Sequence, residues 1–328
     1  MSLSLNADVL RLIIQEAANE AETSFSHSTI DAFYQRSATL RRLSLVNSQW
    51  RSLAQLELQS YVVLTNRNQR LAHCAIVKTG LAKRVRRLLD RRGTGVKDER
   101  LFSEILEKCE GLRELDCWNS RFALSSLLKA KELASLSLSN VSLVNDSQSL
   151  SLPFRLHSFS LSGSCTISKL DWRALQQAGA GNLKNLSLAG RLSSNPASLL
   201  DALSSWLPSV RTLDLAEIDP PTPLIPSLHC CQQLERLSIK LSDFPAALAV
   251  LGCSPQHLEV VASSDTLDTW TWEDYQSNVL SAIGKAPLDK VESVKIVRLP
   301  GIDETQREVA LSVKIGKRRV AAVKGTKL

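Results

Sequence analysis

This sequence is poor in the residues that do chemistry. Its five histidines, His27, His73, His157, His229 and His257, show no metal-ligand spacing. There is no Gly-x-Ser-x-Gly, no phosphate-binding glycine loop, no His-Glu-x-x-His and no calcium loop. Those absences exclude the common catalytic classes and point to a chain that is not an enzyme and needs no metal or cofactor. Aromatic residues are only 5% of the whole, against 44% hydrophobic and 22% charged, which suits a thin core of aliphatic layers. No stretch reaches the roughly 18 apolar residues of a membrane span. Nor does the chain open on a basic region followed by an apolar one. The seven cysteines fit neither a disulfide framework nor a zinc site: Cys109, Cys117, Cys165 and Cys253 sit in apolar contexts, and Cys230 and Cys231 are adjacent. Free thiols in a reducing compartment, cytoplasmic or nuclear, are the expectation, with no membrane partner.

Charge of one sign is concentrated rather than spread. Of a formal net charge of +7, six positive charges fall on Lys314, Lys317, Arg318, Arg319, Lys324 and Lys327, with no acid between Lys314 and Leu328. Residues 306–328 therefore read as a basic tail, a solubilising extension before a nuclear address or a nucleic-acid contact. The alternation Val309, Leu311, Val313 and Ile315 leaves room in it for one final strand. A second run, Lys83 to Arg92, holds six basic residues in ten. It reads first as solvated arginines around buried aliphatics, and second as an anion or acidic-partner site.

What the chain has in abundance is one phrase: an apolar residue, two spacers, Leu, one spacer, an apolar residue. Leu133-Ala-Ser-Leu136-Ser-Leu138 is its cleanest copy. Others start at 85, 112, 156, 183, 210, 234, 258 and 291, mostly 21 to 27 residues apart, with one step of 33. Between them lie amphipathic stretches at 99–108, 171–178, 197–206 and 244–251, while Asn145 to Leu152 and the proline-rich 219–226 suit irregular returns. The 33-residue step holds Trp270-Thr-Trp272-Glu-Asp-Tyr275 and then a helix to about Ile283. This array resembles the leucine-rich repeats. The resemblance implies an α/β solenoid over residues 61–305, with a parallel sheet on the concave side and helices or irregular returns on the convex side.

The first 60 residues differ. Val9, Leu10, Ile13, Ile14 and Ala17 recur at helical spacing, with Asn6 as N-cap and Asp8 at the positive end of the helix dipole. From Asn19 to Gln35 the pattern fails, and Thr23, Ser24, Ser26, His27, Ser28 and Thr29 read as a polar loop; helical periodicity returns from Leu40 to Ala54 with a break at Asn47-Ser48. The pairing of Leu5-x-x-x-Val9-Leu10-x-x-Ile13-Ile14 with Leu40-x-x-Leu43-x-Leu45-Val46-x-x-x-Trp50 resembles an F-box, although Asn6 stands where that family usually has proline. An F-box is a small all-α three-helix module that docks onto the Skp-type adaptor of cullin–RING ubiquitin ligases. By position, the resemblance implies that Leu5, Val9, Leu10, Ile13, Leu43, Val46 and Trp50 face the adaptor or hold the helices together.

Alternation along the strand phrases separates core from open face. On the open face the expected contacts to a target protein are Arg87, Glu114, Asp116, Trp118, Ser137, Ser160, Ser187, Asp214, Arg236, Lys240 and Lys295. Glu114 and Asp116 beside Trp118 form the candidate anchor. The expected role is target recognition for an SCF-type ubiquitin ligase, by a chain that is a monomer before assembly. A repeat scaffold unconnected with ubiquitin stays open. It predicts that the N-terminal helices bury their apolar face against residues 61–78. A nucleic-acid binder working through the 83–92 run and the tail ranks below both.

Overall fold

The structure, a computed structural model, describes residues 6–23, 29–92, 99–144, 150–190, 196–218, 224–240, 242–262, 293–298 and 310–313. Leu5 and the expected helix after Trp270 lie outside them. Three helices come first: α1 (Ala7–Thr23), α2 (Thr29–Leu43) and α3 (Ser48–Ser60). Asn6 Oδ1 accepts the Asp8 N–H at 2.9 Å and Asn47 Oδ1 accepts the Trp50 N–H at 3.0 Å, so asparagine caps both ends where periodicity begins. Residues 19–23 and 29–35, where the apolar pattern fails, are helix, with Thr23 and Thr29 at the helix ends, and the rest of the expected polar loop, residues 24–28, lies outside the described residues. Ala17, Ala18, Glu20 and Ala21 are strong helix formers, and their propensity carries α1 to Thr23 after the apolar stripe fades. Leu10, Ile14, Ala18, Leu40 and Ala54 bury one small core, with Leu43, Trp50 and Leu53 packed at its border. Glu57 is buried beside it, accepting from Gln15 Nε2 at 2.7 Å and Arg36 Nη2 at 3.3 Å.

From Tyr61 the chain alternates strands with returns. The strands are β1 (Tyr61–Leu64), β2 (Arg87–Asp90), β3 (Glu114–Trp118), β4 (Arg121–Phe122), β5 (Ser135–Ser139), β6 (Ser142–Leu143) and β7 (Ser158–Ser162). There follow β8 (Asn185–Ala189), β9 (Thr212–Leu215), β10 (Arg236–Lys240), β11 (His257–Ala262), β12 (Ser293–Arg298) and β13 (Ala310–Val313). Apart from β4 and β6, which form a short parallel pair of their own, all lie side by side in chain order in one 11-stranded sheet. Neighbours are parallel as far as β12. Among the described residues only β13 runs antiparallel, adding to the sheet a piece of the segment read as a tail. Helical returns are α4 (Gln69–His73), α5 (Glu99–Lys108), α6 (Lys169–Gly179), α7 (Pro196–Trp206) and α8 (Phe244–Val250), with 3₁₀ turns at Leu124–Leu127 and Ile225–Cys230. The architecture is mixed α/β on a mostly parallel sheet.

Register explains the repeated leucine. Leu88, Leu115, Leu136, Phe159, Leu186, Leu213, Leu237 and Leu258 sit opposite one another from strand to strand, none more than 2% exposed. They share one apolar cluster with the buried faces of α5 to α8. Each such side chain contributes about 1.5–3 kcal/mol by leaving water. One frame needs correction. Leu258 pairs with Leu237, so it is the middle leucine of its phrase, and buried Pro255 holds the first place. Val261 consequently turns to the other face, where it meets Ala216.

A left-handed residue follows four of the strands: Asn119 (φ 51°), Asn140 (φ 52°), Gly163 (φ 66°) and Gly190 (φ 73°). These are the residue types that tolerate that conformation. Their N–H groups donate to Ser139, Ser162, Ala189 and Glu217 carbonyls at 2.8 to 3.0 Å, which carries the ladder around each bend.

Candidate functional site

Two surfaces bear on function. The first is the outside of the N-terminal helices. Packing of Leu10 and Ile14 inward leaves Val9 44% and Ile13 42% exposed at the edge of the same stripe, and Leu12 65% exposed beyond it, with Val9 one turn before both. In the turn between α2 and α3, Leu45 is 77% and Val46 58% exposed. The expected adaptor residues therefore divide. Val9, Ile13 and Val46 are open to a partner. Leu10 is core, which removes it as a contact, and Leu43 and Trp50 are half-buried in the same core. Leu12 was missed because it stands off the apolar stripe, and Leu45, quoted in the motif, was assigned no contact.

The second surface is the face of the sheet turned away from α5 to α8. Its first two strands are covered: Phe33 of α2 packs edge-on to Tyr61 with ring centroids 5.0 Å apart, in a small cluster with Val63 and Leu89. The open face thus starts at β3. Along its middle row, register aligns Asp116, Ser137, Ser160, Ser187, Asp214, Ser238, Glu259 and Lys295. Ser135, Ser158 and Asn185 flank it on one side, and Ser139, Ser162 and Ala189 on the other. The centre is a strip of small hydroxyl groups, and charge gathers toward β9–β11. There Thr212, Asp214, Arg236, Ser238, His257 and Glu259 line a shallow cavity of about 400 Å³. Lys240 aligns with Val261 at the edge of that region.

The expected anchor at β3 is altered by its neighbours. Arg87 Nε lies 2.7 Å from Glu114 Oε2, and Arg91 Nη2 lies 2.5 Å from Asp116 Oδ2. Arg87 also sits 4.4 Å above the Tyr61 ring. Both carboxylates are neutralised within the sheet, so Trp118, 39% exposed, stands beside ion pairs and not beside free acid. The run Lys83 to Arg92 is likewise not simply solvated. Arg92 is buried on Asp90, and Arg86 reaches Glu132 at 3.5 Å.

Burial raises the thiols of Cys109 and Cys231 to about 12, and pushes Cys117 and Cys165 up as well. All seven cysteines are free thiols. Among the described residues no group of three or more His, Cys, Asp or Glu side chains could hold a metal ion, and no helix is long and apolar enough to cross a membrane. Comparison of the sequence with known protein families and with curated proteins finds no match in either.

Proposed function

We propose that this chain is the target-recognition subunit of a cullin–RING ubiquitin ligase. In this reading α1 to α3 are a divergent F-box, and the sheet with its returns is a leucine-rich-repeat solenoid whose open, concave face holds the target. The observation that carries it is the exposed apolar set Val9, Leu12 and Ile13 on α1, with Leu45 and Val46 in the next turn. A chain that used these helices only to cap its sheet would turn such residues inward, as it does Leu10 and Ile14. Exposed apolar groups on a small helical unit mark a protein contact. Chain-order strand neighbours and a leucine ladder in continuous register support the solenoid.

On this reading no bond is made or broken by the chain itself. One end binds a Skp-type adaptor, the open face binds a target, and the target's lysine is held near a ubiquitin-charged enzyme at high effective concentration. The serine strip suits an extended target segment, because small hydroxyls offer hydrogen bonds without crowding the face. Calorimetric titration of the full chain with a purified Skp-type adaptor tests the proposal. Binding at about micromolar affinity or tighter is expected, weakened at least tenfold by Ile13→Asp with the melting temperature unchanged. A folded chain that takes up no adaptor would remove the ligase role.

A further inference from the structure

A cleft of about 450 Å³ lies where the helices meet the sheet, and its lining is strongly basic. Arg11 comes from α1, Arg36 from α2, Lys83 and Arg84 from the 3₁₀ turn Leu81–Arg84, Arg86 from just before β2, Arg87 from β2 itself, and Arg113 from just before β3. Seven cations face two carboxylates, Glu57 and Glu114. An adjoining cavity of about 630 Å³ shares Lys83 and Arg86 and adds Lys129 and Lys131 together with Glu110 and Glu132.

Internal pairing leaves part of this charge unanswered. Arg11 reaches Glu57 only at 3.9 Å, and that carboxylate already holds Arg36 at 3.3 Å. Arg86 and Arg113 share Glu132, at 3.5 and 2.9 Å. Lys83 and Arg84 make no ion pair among the described residues, and Arg84 donates only to the neutral Gln59 Oε1 at 2.5 Å. Two of the arginines, Arg86 and Arg36, are also held in place. Arg86 donates to the Gly111 carbonyl at 2.8 Å and crosses the space where a Cβ on residue 111 would lie 2.0 Å from its Nη1. Glycine at 111 is therefore what allows that guanidinium its position. Arg36 is buried and donates to Asn19 Oδ1 at 3.0 Å as well as to Glu57. Guanidinium forks gathered around a half-open cleft suit phosphate oxygens, which they bind in pairs. A volume of this size admits a small molecule or headgroup rather than a nucleic-acid duplex.

We propose that this cleft binds a small, multiply charged phosphate anion, either free or as a lipid headgroup, which ties α1 and α2 to the first strands of the sheet. The inference is tested separately from the ligase reading, since it uses none of the exposed apolar residues; it shares with the expected target face only Arg87 and Glu114, which are paired with each other.

The test uses the full chain at roughly 0.15 M salt, where weak surface attraction is screened, with inorganic tripolyphosphate as probe. Saturable one-to-one binding and a rise in melting temperature are expected, with orthophosphate at least tenfold weaker. The double variant Lys83→Glu/Arg84→Glu should lose at least tenfold in affinity. Gly111→Ala, which displaces Arg86 without removing a charge, should also weaken binding. The tail variant Lys317→Ser/Arg318→Ser/Arg319→Ser should bind as the parent does. Vesicles containing a phosphoinositide, competed by tripolyphosphate, identify the source: capture on them assigns a lipid headgroup, and no capture beside tight soluble binding assigns a free anion. The proposal is overturned by no binding at roughly 1 mM tripolyphosphate, by loss in the tail variant with the cleft variants unaffected, or by tighter binding of a single-stranded oligonucleotide than of tripolyphosphate.

Discussion

Arg92 grips Asp90 inside the core, its Nε and Nη2 donating to the two carboxylate oxygens at 2.7 Å each. Asp90 occupies an inward place of the strand ladder, between Leu64 and Cys117, where the strands from β5 onward carry an aliphatic residue. The Ser120 hydroxyl donates to the same carboxylate, and the guanidinium carbon of Arg92 lies 4.4 Å from the Phe102 ring centre. Removing one partner strands the other charge away from water, a loss of about 3–5 kcal/mol, whereas an apolar replacement of both is often neutral or better. Asp90→Ala should therefore destabilise strongly in urea denaturation, and Asp90→Leu with Arg92→Met should recover most of the loss. Equal loss in the single and double variants would mean that packing, not charge pairing, governs the site.

The left-handed positions make a second, local prediction. A Cβ on Gly163 would lie 2.1 Å from Asn140 Oδ1, the atom that accepts the Ser164 N–H at 2.8 Å. Gly163→Ala adds that clash to a positive φ and should cost about 1–3 kcal/mol. Asn119→Gly keeps the backbone conformation and should stay within about 0.5 kcal/mol of the parent. Thermal denaturation of the two variants separates backbone strain from side-chain loss.

Thiol reactivity should follow burial. Alkylation of the native chain is expected at exposed Cys74, and more slowly at half-buried Cys230 and Cys253. Cys109, Cys117, Cys165 and Cys231 should react only on unfolding, because the thiolate is the nucleophile and burial disfavours it. Raising the pH to roughly 9 should not expose Cys109 or Cys231, whose thiols are held at about 12, well above that value. Mass spectrometry of the labelled chain reads this directly, and early labelling of Cys109 would contradict it.

Most strands of the large sheet were legible in the sequence because alternation usually places an aliphatic inward at every second position; the Leu258 frame slipped, where Pro255 hides the first inward place, and the two-residue strands β4 and β6 are too short to show any alternation. The α1 extension was not legible: Ala and Glu carry helical propensity but no apolar stripe. Charged residues misled for a related reason. Arg91 and Asp116 are 25 residues apart and meet only because β2 and β3 pair in register. The basic cleft was half visible in the run from Lys83, while Arg11, Arg36 and Arg113 reach it from three separate segments.

On α1, neighbouring residues should separate folding from binding. Leu10 is 1% exposed, so Leu10→Ala should cost about 2–5 kcal/mol of stability. Val9→Ser, at a half-open position, should cost under about 1 kcal/mol and weaken adaptor binding several-fold. Paired denaturation and titration of both variants check this; a Val9→Ser chain that binds adaptor as the parent does would place the contact elsewhere.

Hydrogen exchange of the full chain, with and without a saturating Skp-type adaptor, tests the central claim most directly. The account predicts slowed exchange in residues 7–14 and 44–51, with the strand amides of Ser135–Ser139 unchanged. Protection confined to the sheet, or none anywhere at saturation, would contradict it.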